Sequence, residues 1–185
     1  ALSHGNIFEA QVSYREALDL ARKMYSNFPI LVLAYNNYGY LHYLLGNYPE
    51  AWRYYLQGLE VASQSNYDWF NSNLYNGQGD ILRAIGEWQR AEITYDRARQ
   101  QAERLDKKDS LVAAFSGLIE IEIHKGDFNQ AMYYLREIAR LEEKHIDDPK
   151  YQLRLALIYQ SMGQINLAQK IFESRIPDLN NSGDK

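Results

Sequence analysis

The chain has 185 residues, 46% of them hydrophobic and 24% charged, which is enough apolar material for a core without cross-links. The absence of cysteine excludes disulfides, thiolate catalysis and cysteine-based zinc sites, and 20 basic against 24 acidic residues leave no electropositive stripe to collect nucleic-acid phosphates. Apolar runs such as Ile30 to Tyr35 fall far short of the roughly 20 residues a membrane span needs, so the expectation is a cytoplasmic protein with no membrane contact.

In chain order the elements are set out by a recurring phrase: Gly, a polar residue, a bulky apolar residue, two spacers and Ala. The first copy is Gly5-Asn6-Ile7-Phe8-Glu9-Ala10. Only Ala1 to His4 precede it, with neither an initiator Met nor a leader, so residues 1–27 read as a partial repeat, a turn and a second helix, in a fragment of a larger protein. Residues 28–66 form the next unit, with an amphipathic stretch from Leu31 to Leu45 and then Gly46-Asn47-Tyr48-Pro49-Glu50-Ala51. Residues 67–107 carry Phe70 to Ile85 and then Gly86-Glu87-Trp88-Gln89-Arg90-Ala91. Residues 108–147 carry Leu111 to Lys125 and then Gly126-Asp127-Phe128-Asn129-Gln130-Ala131. Residues 148–179 carry Tyr151 to Met162 and then Gly163-Gln164-Ile165-Asn166-Leu167-Ala168, and a polar tail, 180–185, is expected to fray.

The glycines stand 41, 40, 40 and 37 residues apart. A helix that ends on glycine uses it as a left-handed C-terminal cap, so each phrase predicts an inter-helix turn. Four residues after each Ala comes a large side chain, Tyr14, Tyr55, Tyr95, Leu135 and Phe172, one turn on and hence on the same face. The polar breaks around Asn27, Asn66, Asp106 to Ser110 and Asp147-Asp148 are expected to cap the helices that follow them, with Pro149 at a first helical position. The fold class is therefore all-α, about nine helices paired into antiparallel hairpins.

This pattern resembles the tetratricopeptide repeat family over essentially the whole chain. The family's small residue, seven before the turn glycine, is matched by Gly39, Gly79 and Ala156 and departed from at Ile119. The spacing is similar to the long-helix variety of kinesin light chains and of bacterial regulators. The resemblance implies a right-handed superhelical solenoid, a single segment over 1–179, that binds protein rather than catalysing a reaction. It implies a concave groove, lined by first helices, that holds an extended peptide or a partner domain within a larger signalling or regulatory protein. The groove positions it supplies include Asn36, Asn37, Tyr40, Tyr43, Asn73, Asn76, Asp80, Arg83, Glu120, His124 and Arg154. The family's carboxylate clamp needs Lys and Arg where this chain has Ala113 and Gly117. Two alternatives stand beside the scaffold reading: a ligand-sensing domain of a bacterial transcriptional activator or signalling ATPase, and a solenoid that self-associates through exposed repeat ends.

Nothing in the residue pattern builds a metal, cofactor or catalytic site. His4, His42, His124 and His145 are scattered without ligand spacing, and His42 is expected in the core. Glu120 and Glu122 point to different helix faces, Glu142 and Glu143 are consecutive, and these carboxylates are expected to be mostly solvated. Gly77-Gln78-Gly79-Asp80 lies inside a helical pattern and reads as close helix packing, not a phosphate loop. Tyr54, Tyr55, Tyr133 and Tyr134 read as hairpin core with solvent-facing neighbours. The asparagines are poor residues for a helix interior, so they are either ligand-gripping amides or, in the plainer reading, partners for neighbouring helix ends or groups that simply face water.

Overall fold

In the computed structural model, residues 4–23, 28–142 and 148–181 are described. Among them the chain forms nine α-helices and no strand: α1 (His4–Lys23), α2 (Phe28–Leu44), α3 (Tyr48–Gln64), α4 (Asn71–Ala84), α5 (Trp88–Arg104), α6 (Lys108–Lys125), α7 (Phe128–Leu141), α8 (Pro149–Ser161) and α9 (Ile165–Asn181). They gather into two compact units, 1–111 and 112–185.

Four of the five glycine phrases make the expected turn. Gly46, Gly86, Gly126 and Gly163 have φ between 72° and 80°, a region where a side chain would clash with the backbone. After α2, the Asn47 N–H donates to the His42 carbonyl at 2.9 Å and the Gly46 N–H to the Tyr43 carbonyl at 2.9 Å, the paired bonds of a Schellman end. Gly5 is the exception, because α1 begins at His4 and runs through it.

The polar breaks work differently from expectation. Asn66 (φ 52°) and Asp106 (φ 50°) are left-handed residues that end α3 and α5. Tyr67 N–H bonds back to the Ala62 carbonyl and Lys107 N–H to the Ala102 carbonyl, both at 2.9 Å. They close the helix behind them; Phe70, at the N-cap of α4, makes no side-chain cap. Asp148 does cap forward, accepting from the N–H groups of Lys150 at 2.9 Å and Tyr151 at 3.3 Å. Asn27 and Asp147 lie outside the described residues.

In the first unit α1 packs on α2, α2 on α3 and α4 on α5, with α4 also against α2 and α3. Val32, Ala51, Tyr55, Ala62, Leu74 and Ile81 form one core cluster, and Leu18, Tyr35, Tyr38 and Leu41 another. The glycines inside helices explain how these helices approach. A Cβ on Gly39 would stand 2.8 Å from the Tyr55 ring, one on Gly77 2.2 Å from it, and one on Gly79 2.6 Å from the Tyr95 ring. Tyr55 thus sits between a notch in its own hairpin and a notch in the next. Gly77 and Gly79 are packing residues, as the helical pattern around them implies.

In the second unit α8 packs on α9 and α7 on α8. Ile119 replaces the small residue, and it is buried at 5% exposure, while Leu135 stands where Tyr55 and Tyr95 stand in the earlier hairpins and is fully buried. Gly with Tyr becomes Ile with Leu at the same two register positions, a small-and-large combination exchanged for two of middling size. Phe115 stacks on Tyr134 at 5.3 Å.

Candidate functional site

The implied groove residues divide between the two units. On α2, Asn36, Asn37, Tyr40 and Tyr43 recur at three- and four-residue intervals and so share a face. Tyr40 is 51% exposed and its ring lies 6.4 Å from that of Tyr43, nearly parallel. Asn36 and Asn37 are half-buried, and the Asn36 amide donates to Asn37 Oδ1 at 3.2 Å. Leu33, one turn before, adds an exposed apolar group to the same face.

On α4 the corresponding side chains are engaged inside the protein. Asn73 Oδ1 accepts from Lys107 Nζ at 2.6 Å and from Ser110 Oγ at 3.1 Å. Asn76 is buried; its amide donates to the Ser110 carbonyl at 2.8 Å, and its Oδ1 has no protein hydrogen-bond partner. These two asparagines thus serve the approach to α6, the second of the two roles open to them. Lys107 completes the latch, donating also to the Trp69 carbonyl at 2.7 Å and lying 5.2 Å from the Trp69 ring centre. Burial pulls its pKa below the ordinary lysine value.

Asp80 and Arg83 meet Tyr95 of α5. The Tyr95 hydroxyl donates to Asp80 Oδ1 at 2.6 Å and accepts from Arg83 Nε at 3.3 Å, and the Arg83–Asp80 ion pair spans 3.8 Å. Desolvation raises the Asp80 pKa above its ordinary value, against the pull of the Tyr95 bond and of Arg83. Desolvation also raises the Tyr95 hydroxyl, with the nearby Asp80 charge adding to it.

Glu120, His124 and Arg154 belong to the second unit. Glu120 and His124 are exposed on α6. Arg154 is half-buried on α8, donating to Ser116 Oγ at 3.3 Å and standing 4.0 Å from a Glu142 oxygen.

The remaining titratable groups resolve into structure. His42 is half-buried between the rings of Tyr38 at 4.8 Å and Tyr54 at 5.3 Å, and burial lowers its pKa. Glu122 is buried, not solvated, and pairs with Lys125 at 3.3 Å; Glu142 is also mostly covered. Tyr55 is buried and Tyr133 is 47% exposed, the mixture expected of the tyrosine pairs. Glu143 and His145 lie outside the described residues, as do the side chains of His4 and Tyr14. Among the described residues no group of three or more His, Cys, Asp or Glu is placed to hold a metal ion. None of their helices is long and apolar enough to cross a membrane.

A second feature was not singled out from the sequence: a cleft of about 560 Å³ in the first unit, lined by Tyr48, Pro49, Trp52, Ile81, Leu82, Ile85 and Arg90. Its members come from three helices and the turn after α4, at positions whose proximity exists only once α3 packs on α4.

Residues 149–174 match the family model of the tetratricopeptide repeat. No curated protein matches the chain. Among solved structures, BtubC (BKLC) from P. vanneervenii aligns with a TM-score of 0.73 at 18% identity, over 98% of this chain and 76% of that one. Nearly identical TPR-like repeats from a Podosopora anserina protein described as a kinesin light chain align with a TM-score of 0.65 at 16% identity, over 98% of this chain and 90% of that one. A variant of the same repeats gives 0.67. At these identities the likeness is one of fold. Residues 149–174 match a tetratricopeptide repeat, and the chain shares the all-α helical-hairpin fold of these solved tetratricopeptide-like repeat structures.

Proposed function

We propose that the chain is a protein-interaction scaffold, without catalytic machinery, that holds an extended peptide or a partner domain of a larger cytoplasmic signalling or regulatory protein. Tetratricopeptide repeats in general bind proteins, and the observation that carries the reading here is the α2 face. Leu33 and Tyr40 are exposed there, with half-buried Asn36, Asn37 and Tyr43 beside them. Carboxamides can donate to and accept from a peptide backbone at once, and tyrosines bury large area at small entropic cost. The half-buried Asp80 and Arg83 of α4 would offer the same ligand only what their bonds to Tyr95 and to each other leave exposed, and Asn73 and Asn76 are engaged with Lys107 and Ser110. Glu120, His124 and Arg154 are assigned to the same role in the second unit.

The test is a pull-down and peptide-array comparison of the wild-type chain with an Asn37→Ala/Tyr40→Ser variant. A cognate ligand should weaken at least about tenfold, the loss of one exposed hot spot. Equal binding by both proteins would remove α2 from the site.

The second reading, self-association, is favoured by the α8–α9 hairpin. Phe172 is 36% exposed where the equivalent Tyr55, Tyr95 and Leu135 are 0–1% exposed, and Leu153, Leu157 and Ile165 are exposed with it. Sedimentation equilibrium of wild type and Phe172→Glu decides it: a concentration-dependent dimer lost in the variant supports the reading, and a monomer at all concentrations ends it.

A further inference from the structure

The cleft of the first unit lies on a different set of positions from the α2 face. Tyr48, Pro49 and Trp52 come from the first turns of α3, Ile81, Leu82 and Ile85 from the end of α4 and its turn, and Arg90 from the first turn of α5. Six of the seven are aromatic or aliphatic, and one is a cation. Ile85 is 53% exposed and the Arg90 side chain 62% exposed.

The repeat itself supplies the comparison that makes this composition informative. Trp52, six after its turn glycine, has Glu92 as its equivalent in the next repeat; Leu82 and Ile85, four and one before theirs, have Glu122 and Lys125. Glu122 and Lys125 satisfy each other as an ion pair. The fold therefore accepts charged residues at these positions, and packing alone does not require a large exposed isoleucine beside a tryptophan. The last two repeats have Met132, Tyr159 and Met162 at the same positions, but Leu167 where the first cleft has Arg90. The combination of aromatic wall and guanidinium belongs to the first cleft.

Its chemistry selects an occupant. A volume of about 560 Å³ falls within the roughly 300–1,000 Å³ of small-molecule sites, which are apolar with a few polar groups that fix orientation. The surroundings are charged and already paired: Glu50, next to Pro49, is held by Arg53 at 2.6 Å. Arg90 is in a looser pair with Glu87 at 3.9 Å, with both side chains at least half exposed, so its fork of donors is open to an entering anion. We propose that this cleft binds a small organic acid, with an aromatic or branched apolar body seated against Trp52, Leu82 and Ile85 and its single anionic group held by Arg90.

The probe is 8-anilinonaphthalene-1-sulfonate, which has an aromatic body and one fixed negative charge, titrated by fluorescence beside the uncharged N-phenyl-1-naphthylamine. Wild type should bind both saturably at one site. Ile85→Lys, which installs the residue of the following repeat, should weaken both at least about tenfold, as an ammonium replaces apolar wall. Arg90→Gln should weaken the sulfonate about fivefold, the value of a partly desolvated ion pair, and leave the uncharged probe unchanged. Circular dichroism confirms the helices of each variant. If Ile85→Lys binds like wild type, the cleft is not the site. If Arg90→Gln leaves sulfonate affinity unchanged, or lowers both probes alike, the anion selectivity is wrong. Because Arg90→Gln changes an exposed side chain, it tests the proposal even if the lysine variant fails to fold.

Discussion

Replacing Gly77 by alanine sets two effects of opposite sign against each other. In a helix interior alanine is favoured over glycine by about 1 kcal/mol, so propensity alone predicts a more stable protein. The structure predicts the reverse. The new methyl would stand 2.2 Å from Tyr55 Cζ and 2.6 Å from its hydroxyl oxygen, against an ordinary carbon contact of about 3.5–4.0 Å. Relief requires the ring to move by more than about 1 Å. Tyr55 is 1% exposed, and Gly39 lies close on another side, where a Cβ would already be 2.8 Å from the ring. Overpacking of this kind costs about 1–3 kcal/mol, and the closeness of the contact places it at the upper end. The net expectation is a loss of about 2 kcal/mol, or about 4–8 °C in Tm for a chain of this size. Urea and thermal melts followed by circular dichroism measure it. Tyr55→Leu, which copies Leu135, should offset part of the Gly77→Ala loss, so that the double variant is more stable than the two single losses predict. A Gly77→Ala protein that melts at or above the wild-type temperature would refute the notch.

Two further outcomes test the Tyr95 network. Tyr95→Phe removes the donor to Asp80 and the acceptor of Arg83 while keeping the ring in the Gly79 notch; urea melts should show a loss of about 1.5 kcal/mol, and a change below about 0.5 kcal/mol would mean the network is incidental. Asp80 carries a pH signature. Its folded pKa lies above the ordinary 3.8, so the folded state holds the proton more tightly, and this stabilisation is present below about pH 4 and lost as pH rises through the raised value. The urea midpoint of wild type relative to Asp80→Asn should therefore fall as pH is raised from about 4 toward neutrality, and a difference that is flat or rises would contradict the burial of the carboxyl.

How much of this was readable beforehand depends on how local each cause is. The turn glycines were legible because a left-handed cap makes the same local demand each time, and the Gly77-Gln78-Gly79 notch was legible because a helical pattern surrounds it. Asn66 and Asp106 were misassigned because a polar residue between helices can close one or open the next, and only backbone geometry separates the two. Gly5 bore the phrase without the turn, since α1 begins at His4 and runs through it. Glu122 looked solvated by periodicity, yet it is buried with its ion-pair partner one turn away. The α2 face could be placed from the repeat register. The cleft could not, because Trp52 and Ile85 are 33 residues apart in the chain and become neighbours only through α3–α4 packing.

The asparagines show why a repeat's register does not by itself assign function. Asn36 and Asn76 stand ten residues before their turn glycines, at the same position of successive repeats, yet Asn36 meets Asn37 at a partly open surface while Asn76 is buried against the Ser110 carbonyl. What differs is the first turn of the next first helix. Ser110 and Lys107 bring a carbonyl, a hydroxyl and an ammonium toward α4. The amide of Asn76 donates to a backbone oxygen in a buried setting, and removing it would lose that bond. Its low helix propensity, several tenths of a kcal/mol against alanine, is small beside that loss. Tyr40 has no such explanation, because an aromatic side chain with half its surface in water contributes little to the core. Tyr40 is therefore the residue of this register that packing leaves unexplained, whereas Asn73 and Asn76 join α4 to Lys107 and Ser110.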